Sequence, residues 1–210
     1  MYLSDRDLAW AIECGKLVFK PLPEKVDSNS IDLHLDHVTE AKIWNIDKFR
    51  QREAASGRKR PELRIAQYSL ADFGEDYLIT PPEFSDSSQE LVQKRGPEII
   101  VRHGGFLLWQ TKEVVGTNPD KNADLICFVD GKSTRARAGI LVHLTAPTIH
   151  TTWNGKITLE IANLGPFDIV LQENDVIAQL TVAKVTSPPS KDVTVSSVTY
   201  GQTKVSGSSR

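Results

Sequence analysis

The most informative segment of the chain reads Asp130-Gly131-Lys132-Ser133-Thr134-Arg135-Ala136-Arg137-Ala138-Gly139. It continues, after a short apolar run, with Thr145-Ala146 and Trp153-Asn154-Gly155-Lys156-Ile157-Thr158-Leu159-Glu160. These residues place a hydroxyl, a guanidinium and a carboxylate within an otherwise apolar, strand-rich region. Polar groups in such a region are expected to have a partner or a function, because an unpaired buried polar group lowers stability by about 1–3 kcal/mol and an unpaired buried charge lowers it by more. The pattern predicts that the chemistry of the protein takes place here.

Side-chain alternation along residues 157–162 predicts two different faces for this strand. Ile157, Leu159 and Ile161 share one face, and Thr158, Glu160 and Ala162 lie on the other. From the residues alone, Glu160 is either an ordinary carboxylate that faces solvent or a pocket carboxylate that carries a proton to and from a ligand. The second interpretation makes Glu160 the candidate catalytic group.

Composition limits the class of protein. The chain has 210 residues, of which 40% are hydrophobic and 25% are charged, and this suits one sizeable core rather than two independent domains. A formal net charge of -2 provides no long-range attraction to a nucleic-acid polymer or an anionic membrane.

Cys14 and Cys127 are too few for a disulfide framework, and Cys127 is predicted to be a reduced, buried thiol. Since the sequence shows neither a leader segment nor a membrane span, we expect a cytoplasmic protein.

Short segments rich in Ile, Val, Leu and Thr are typical of strands and predominate along the chain. They comprise residues 31–35, 98–101, 106–109, 140–144, 156–161, 169–171 and 176–185. Turn signals separate them at Gly104-Gly105, Asn154-Gly155 and Asn174-Asp175. A helix is predicted over residues 4–14, with Ser4 as its N-cap and Gly15 as its terminator. The pattern indicates a mainly β sandwich or a jelly-roll-like barrel.

Two segments lack this core pattern. The run from Asp47 to Arg64 contains seven Lys and Arg residues, and a solvated insertion on a surface loop or short helix is favoured over a nucleic-acid site. We place this polar insertion at about residues 45–75. Residues 187–210 are rich in Ser, Thr, Val and Pro and are predicted to form a mobile tail. Residues 1–186 then form the folded domain.

The central segment resembles the dCTP deaminases, the zinc-free branch of the trimeric dUTPase superfamily. The family pattern reads roughly G-[RK]-S-S-x-[AG]-R-x-G, then T-A, then a D-P-G-[WF]-x-G turn and a strand ending in L-E. The matching residues are Gly131, Lys132, Ser133, Arg137, Gly139, Thr145, Ala146, Trp153, Gly155, Leu159 and Glu160. The resemblance implies a mainly β, dUTPase-like distorted jelly roll or β-barrel with a few short helices. It also implies a homotrimer with active sites between subunits.

The activity that the resemblance implies is hydrolytic deamination of dCTP to dUTP and ammonia. In this scheme Glu160 takes a proton from water and delivers it to the pyrimidine. The Ser133 hydroxyl and the Ala146 carbonyl oxygen fix that water, and Arg137 lies beside the reacting ring. Ser133 and Arg137 are four residues apart, and with Ser133 as the N-cap of a short helix both would project from one helical face. A plain N-cap and a structural salt bridge are the alternatives for these two residues.

Further residues are candidates for nucleotide binding. Lys132, Ser133 and Thr134 are predicted triphosphate contacts, because a glycine before a helix start lets the chain approach phosphate oxygens. The resemblance implies further substrate contacts at Leu144, His150, Trp153, Tyr200 and Gln202, the last two in a tail that folds over the nucleotide. Mg²⁺ is expected to bind through the triphosphate and water rather than in a protein cage. Zinc is not expected, because neither cysteine has a partner at ligand spacing and the five histidines form no obvious cluster.

One turn departs from the family pattern. Where the family has Ile-Asp-Pro-Gly, this chain has Ile149-His150-Thr151-Thr152. In dUTPases that Asp helps to activate the water that attacks phosphorus, and His150 is not a permanent anion, so phosphohydrolase activity is disfavoured. Three functions stay open: a dCTP deaminase, a bifunctional dUMP-forming enzyme or dUTP diphosphatase, and a non-catalytic nucleotide-binding relative.

Overall fold

The computed structural model describes residues 1–54, 57, 77–81, 91–121 and 124–189. Within them the α-helices are α1 (Asp5–Glu13), α2 (Ile46–Ala54) and α3 (Ser133–Ala136), and 3-10 turns lie at Val38–Glu40 and Pro119–Lys121. The strands are β1 (Leu17–Lys20), β2 (Ile31–His34), β3 (Ile43–Trp44), β4 (Leu78–Ile79), β5 (Val92–Arg95), β6 (Glu98–Val101), β7 (Phe106–Thr117), β8 (Leu125–Gly131), β9 (Ile140–Val142), β10 (Thr148–Ile149), β11 (Asn154–Asn163), β12 (Ile169–Gln172) and β13 (Val176–Lys184).

Two four-stranded antiparallel sheets form the body of the fold. The first has the strand order β1-β7-β11-β9, and the second has the order β10-β8-β13-β2. A three-stranded sheet, β12-β6-β5, and the pair β3-β4 accompany them. Apolar side chains of both large sheets meet in one core, where Leu107, Trp109, Leu159 and Leu180 are fully buried. The mainly β fold with few helices confirms the predicted class.

Most predicted strands are present with shifted bounds. The predicted strand at residues 106–109 is only the start of β7, which is 12 residues long, because its later part mixes polar with apolar side chains and hides the strand pattern. The turn predicted at Asn154-Gly155 is wrong. Both residues pair with β7 inside β11, and the chain reverses one step earlier, where Thr152 has a φ of 75° and the Trp153 N–H donates to the His150 carbonyl oxygen at 3.3 Å.

Two local predictions are confirmed. Helix α1 begins directly after Ser4 and ends before Gly15, whose φ of 74° favours glycine. The Ser4 hydroxyl, however, bonds to the Asp7 carboxylate at 3.2 Å instead of capping a backbone N–H. Cys127 is a buried free thiol, and burial raises the pKa of Cys127 to about 12. This side chain therefore packs as a neutral apolar group.

A polar network at Asp36 joins the segment after β2 to the first sheet. The Asp36 carboxylate accepts hydrogen bonds from Gln110 Nε2 at 2.6 Å and from Lys156 Nζ, and its side chain is only 13% exposed. Burial by itself raises the pKa of Asp36, but the hydrogen bonds from Lys156 and Gln110 outweigh burial and hold the pKa below its ordinary value. The network thereby anchors β11, the strand that carries Glu160.

Asp36→Asn is expected to lower the free energy of unfolding by about 1–3 kcal/mol near neutral pH, because Lys156 loses its anionic partner. Since the folded-state pKa of Asp36 is depressed, its stabilisation is fully present above the unfolded value of about 4 and is lost as pH falls through the folded value. Denaturant unfolding over a pH series measures this effect. The difference in free energy of unfolding between wild type and variant should be constant above about pH 5 and should decrease below about pH 4. A pH-independent difference would contradict the assignment.

Parts of two predicted segments lie outside the described residues. They are most of the basic insertion beyond α2 and the tail from residue 190 onward, which includes Tyr200 and Gln202. Helix α2 agrees with the interpretation of the insertion as containing a short helix. The bounds of the folded domain at 1–186 and of the tail at 187–210 stay predictions.

Candidate active site

Glu160 lies on β11 and points away from the apolar core. Its neighbours Leu159 and Ile161 are 0% and 1% exposed, whereas the Glu160 side chain is 33% exposed. Across the ladder, Glu160 pairs with Leu108 of β7. The predicted alternation is therefore confirmed at Leu159, Glu160 and Ile161, whereas Thr158, which was predicted to share the face of Glu160, is only 8% exposed. The carboxylate lies partly shielded yet open to a ligand.

His143 contacts this carboxylate, and the sequence interpretation missed it. The imidazole is 9% exposed, and its Nδ1 lies 3.1 Å from Glu160 Oε2. This is ion-pair distance without hydrogen-bonding geometry, since Nδ1 has no hydrogen-bond partner among the described residues. The backbone reinforces the contact, because the His143 N–H donates to the Glu160 carbonyl oxygen at 3.0 Å.

The backbone of His143 is also unusual, with a φ of 60°. This left-handed conformation is uncommon for residues other than glycine and costs about 1–2 kcal/mol. It ends β9 two residues short of the predicted strand end at Leu144 and directs the ring toward β11. The sequence offered one indication of this role, a histidine within the apolar run 140–144. It could not indicate that Glu160 is the partner of His143, because Glu160 lies on another strand.

Ser133 and Arg137 lie at the two ends of α3. The predicted N-cap role of Ser133 is wrong, because Lys132 occupies the N-cap position and makes no side-chain cap. Ser133 is instead the first helical residue, and its carbonyl oxygen accepts the Arg137 N–H at 3.1 Å. Both residues are exposed, and within the described part of the chain no ion pair engages the Arg137 guanidinium. These two polar groups are therefore free to meet a ligand.

Lys132, a predicted phosphate contact, forms an ion pair with Asp32 of β2. The two side chains are 24% and 34% exposed, respectively. A phosphate group that reaches Lys132 must therefore share the ammonium with Asp32 or displace it. Thr134, the next predicted contact, is exposed on α3.

The segment between β9 and β11 carries the remaining predicted contacts. Leu144 is 44% exposed, and Ala146 and His150 are exposed as well. Trp153 is partly buried and packs against the core. The turn that joins His150 to Trp153 is held by a hydrogen bond of 2.7 Å from the Thr152 N–H to Thr117 Oγ1. The structure therefore presents Leu144, Ala146 and His150 at the surface and anchors the turn that follows them.

A close backbone contact between two glycines holds the segment after α3 against the end of β11. Gly139 has a φ of 91°, and a Cβ there would lie 2.2 Å from the Gly165 backbone. A Cβ on Gly165 would lie 1.9 Å from the Ala138 carbonyl oxygen. The Leu164 N–H donates to the Gly139 carbonyl oxygen at 2.8 Å. Only glycine permits this crossing.

Glu160 and the Ser133–Arg137 pair are not joined within one chain. Glu160 lies in the first sheet, whereas Ser133 and Arg137 follow β8 of the second sheet. No hydrogen bond or ion pair between described residues connects them. The described ranges also contain no group of three or more His, Cys, Asp and Glu side chains that could hold a metal ion. No described helix is long and apolar enough to cross a membrane.

Comparison with known proteins identifies the family. A family model described as dCTP deaminase-like matches residues 2–185. The chain belongs to the dCTP deaminase-like family. This match covers the two large sheets, both segments of the candidate site and the glycine crossing between them.

Two relatives in the dCTP deaminase-like family illustrate its range. A dCTP deaminase of Haloarcula marismortui is 31% identical over 191 residues, which cover 90% of this chain and 83% of that protein. A protein of Mycobacterium avium named dCTP deaminase, dUMP-forming, is 31% identical over 207 residues, which cover 98% of this chain and 88% of that protein. The name of the second relative specifies dUMP as the product, whereas the name of the first specifies no product.

A solved structure shows the same fold. The 2′-deoxycytidine 5′-triphosphate deaminase of Agrobacterium tumefaciens matches 88% of this chain with a TM-score of 0.56 and 15% sequence identity. This chain spans 48% of the length of that protein. The likeness places the two sheets of this chain within the dCTP deaminase-like fold.

Proposed function

We propose that this protein deaminates dCTP to dUTP and ammonia, with Glu160 as both general base and general acid. The observation that carries the proposal is the Glu160 carboxylate, which lies off the core face of β11 against His143. Membership of the dCTP deaminase-like family supports the substrate. The name of the Haloarcula marismortui relative supports the reaction.

The reaction consumes one water. Glu160 removes a proton as the water oxygen attacks C4 of the cytosine ring, and it delivers that proton to the ring nitrogen N3. Glu160 then transfers the proton of the new C4 hydroxyl to the amino group, the C4–N4 bond of the tetrahedral intermediate breaks, ammonia leaves, and C4 keeps the oxygen as a carbonyl. The base acts best when its carboxylate is partly shielded from bulk water, as Glu160 is.

The other site residues hold and polarise the reactants. The Ser133 hydroxyl and the Ala146 carbonyl oxygen orient the attacking water, and the Arg137 guanidinium stabilises charge that develops beside the ring. Leu144, His150 and Trp153 form the wall and the sugar end of the pocket. Lys132 and Thr134 bind the triphosphate, and Tyr200 and Gln202 cover the nucleotide. Mg²⁺ enters as part of the substrate, bound to the triphosphate oxygens.

We propose that no zinc takes part in water activation. Zinc deaminases use an H-x-E and P-C-x-x-C ligand arrangement, and neither cysteine of this chain has a partner at that spacing. The role of that metal then falls to Glu160 and the groups that orient the water. We place the enzyme in the cytoplasm, where a free buried thiol such as Cys127 stays reduced.

We further propose a homotrimer in which neighbouring subunits complete each active site. Ser133 and Arg137 are exposed, and no hydrogen bond or ion pair between described residues joins them to Glu160, which suits a site closed by a second copy. Exposed apolar side chains provide an interface: Leu141, Leu144, Leu164, Phe167 and Val170 are each between 40% and 64% exposed. An apolar surface of this kind is typical of a contact between subunits.

Product analysis tests the reaction. Chelator-treated protein is incubated with dCTP and Mg²⁺, and ammonia, dUTP, dUMP and pyrophosphate are resolved. We expect ammonia and dUTP without pyrophosphate, because the turn at His150 lacks the carboxylate of a phosphohydrolase. The appearance of dUMP and pyrophosphate would instead support the dUMP-forming activity named for the Mycobacterium avium relative. Tight nucleotide binding without product would refute an enzymatic role.

Mixing two inactive variants tests the shared site. Glu160→Gln and Arg137→Ala proteins are each expected to be inactive, since one lacks the base and the other lacks the guanidinium. If Glu160 and Arg137 of one site come from different subunits, random 1:1 reassembly restores about a quarter of wild-type activity. If both residues come from one chain, reassembly restores nothing. Each variant reassembled alone is the control.

His143→Asn is expected to lower kcat about 10- to 100-fold while nucleotide affinity changes less than about threefold. The reason is that His143 touches the base rather than the nucleotide, and Asn tolerates the positive φ at this position. Steady-state kinetics and equilibrium binding separate the two effects. His37→Asn, at a histidine whose side chain is 61% exposed, is the matched control. A parallel loss of affinity and kcat would argue against a positioning role for His143.

A further inference from the structure

The ammonium of Lys132 is paired with an anion of its own chain, the carboxylate of Asp32. Asp32 lies on β2 between Ile31 and Leu33, which are 1% and 0% exposed, so its side chain points away from the core. Both partners of the ion pair are partly exposed. Solvent and dissolved anions can therefore reach the pair from outside the sheet.

The backbone fixes both ends of this ion pair. Asp32 pairs with Gln179 of β13, which pairs on its other side with Asp130 of β8. Lys132 follows β8 as the N-cap residue of α3, and its carbonyl oxygen accepts the Arg135 N–H at 2.9 Å. The ion pair therefore bridges β13 and joins the start of α3 to β2. Because α3 holds the backbone at Lys132, a change of partner involves the long side chain alone.

A second cation lies close to Asp32. Lys25 and Asp27, in the segment between β1 and β2, form an ion pair at 2.6 Å. The hydrogen bond with Asp27 chiefly raises the pKa of Lys25, and the negative charge of Asp32 raises it further. The hydrogen bond with Lys25 chiefly lowers the pKa of Asp27, and the positive charge of Lys132 lowers it further. Asp32 therefore keeps a cationic neighbour if Lys132 turns to another anion.

The two cations of the candidate site differ in their partners. Arg137 is exposed and has no ion pair among the residues that the structure describes, so an anion meets its full charge. Lys132 is neutralised, so an anion gains its charge only when Asp32 is displaced. A partly exposed ion pair favours the paired state by a factor of about three to ten. The affinity of Lys132 for an external anion falls by the same factor.

We propose that Asp32 is an internal competitor of phosphate at Lys132 and thereby determines which anions the candidate site retains. This inference rests on the proposed function, in which Lys132 binds the triphosphate. Binding is then an exchange of anions, in which the ammonium leaves Asp32 for a phosphate oxygen while Asp32 stays near Lys25. A small anion with no other hold on the site competes poorly with a carboxylate that is always nearby. A nucleoside triphosphate that also contacts Arg137 can displace that carboxylate.

Equilibrium binding of dCTP and of inorganic triphosphate, each with Mg²⁺, tests the competition. All proteins carry Glu160→Gln, so that the nucleotide is not consumed. Asp32→Asn is expected to bind both probes about threefold to tenfold more tightly, because the amide keeps the shape of the carboxylate but releases the ammonium. When Lys132→Met is also present, Asp32→Asn should change the affinity less than about twofold. The matched control is Asp124→Asn, which should change neither affinity, since Asp124 pairs with Lys16 at 3.0 Å and with similar exposure.

The possible outcomes separate this inference from the proposed function. Unchanged or weaker binding in Asp32→Asn, while the parent protein binds both probes, would overturn the competition and leave the proposed function intact. An equal gain with and without Lys132 would show a general effect of negative charge, which would also overturn the competition. If dCTP bound to none of the proteins, the proposed function would fail and the inference would fail with it.

Nuclear magnetic resonance of the wild-type protein provides a test that needs no variant. With ¹⁵N-labelled lysine, the ammonium resonance of Lys132 should shift when inorganic triphosphate binds, because the ammonium exchanges a carboxylate for a phosphate oxygen. The resonance of Lys16 should stay in place, since its partner Asp124 is not among the candidate site residues. An unmoved Lys132 resonance at saturating triphosphate would overturn the proposal even if Asp32→Asn failed to fold.

Discussion

Glu160→Gln is expected to reduce deamination of dCTP at least about 1000-fold while leaving nucleotide affinity within about threefold of wild type. The amide keeps the shape of the carboxylate and its place on β11 but cannot accept a proton from water. Since the side chain is partly exposed and, among the described residues, its ion-pair contact is with His143 alone, the fold should tolerate the change. Single-turnover ammonia release and equilibrium binding of dCTP measure the two quantities.

The matched control for this variant is Glu98→Gln. Glu98 is also a strand carboxylate, and its side chain is 32% exposed, close to the 33% of Glu160. Its partner is Arg95 at 2.8 Å, and neither residue is among the candidate site residues. We expect Glu98→Gln to keep wild-type turnover. More than about a tenth of wild-type activity in Glu160→Gln, or an equal loss in both variants, would refute Glu160 as the base.

Gly139→Ala is expected to be strongly destabilising, with a loss of about 3 kcal/mol or more in unfolding free energy. Two effects combine at this position. The φ of 91° disfavours any side chain, and a Cβ would lie 2.2 Å from the Gly165 backbone. The α3 segment would have to move away from the end of β11, so the variant should also lose activity. Denaturant unfolding and turnover measure the two losses.

Three other glycines separate the two effects at Gly139. Gly165→Ala has the backbone clash without a positive φ, and Gly15→Ala has a φ of 74° with nothing within 4 Å. Gly131→Ala has neither, so it should cost less than about 1 kcal/mol. We expect the clash-only and φ-only variants to fall between Gly131→Ala and Gly139→Ala. If Gly139→Ala were as stable as Gly131→Ala, the glycine crossing would not position the α3 segment.

The candidate site shows how far residue patterns reach. Motif spacing made Glu160, Ser133 and Arg137 candidates, which stays a prediction. Alternation gave the correct face for Glu160, because this signal depends on neighbours within a few residues. The same reasoning assigned the N-cap of α3 to Ser133, one position late. It also placed a turn at Asn154-Gly155, inside β11. Both errors concern element ends, which tertiary pairing sets.

The contacts that the sequence did not predict join residues that are far apart along the chain. Lys132 reaches Asp32 across 100 positions, and His34 reaches Glu113 across 79. His143 meets Glu160 from a neighbouring strand. No local pattern marks such pairs, because they depend on the register of several strands, including the shift between β7 and β11. The likeness to the dCTP deaminase-like family predicted a candidate reactive segment without indicating these contacts.

The sequence by itself determined the mainly β class, the start and end of α1 and the buried face of β11. These follow from side-chain periodicity and from the backbone freedom of glycine, which act over a few residues. Only the tertiary structure decided which histidine touches Glu160, which anion holds Lys132, and that no hydrogen bond or ion pair between described residues joins Glu160 to Arg137. The reason is that such distances are set by how two sheets pack over one core, and that packing depends on all their apolar side chains together.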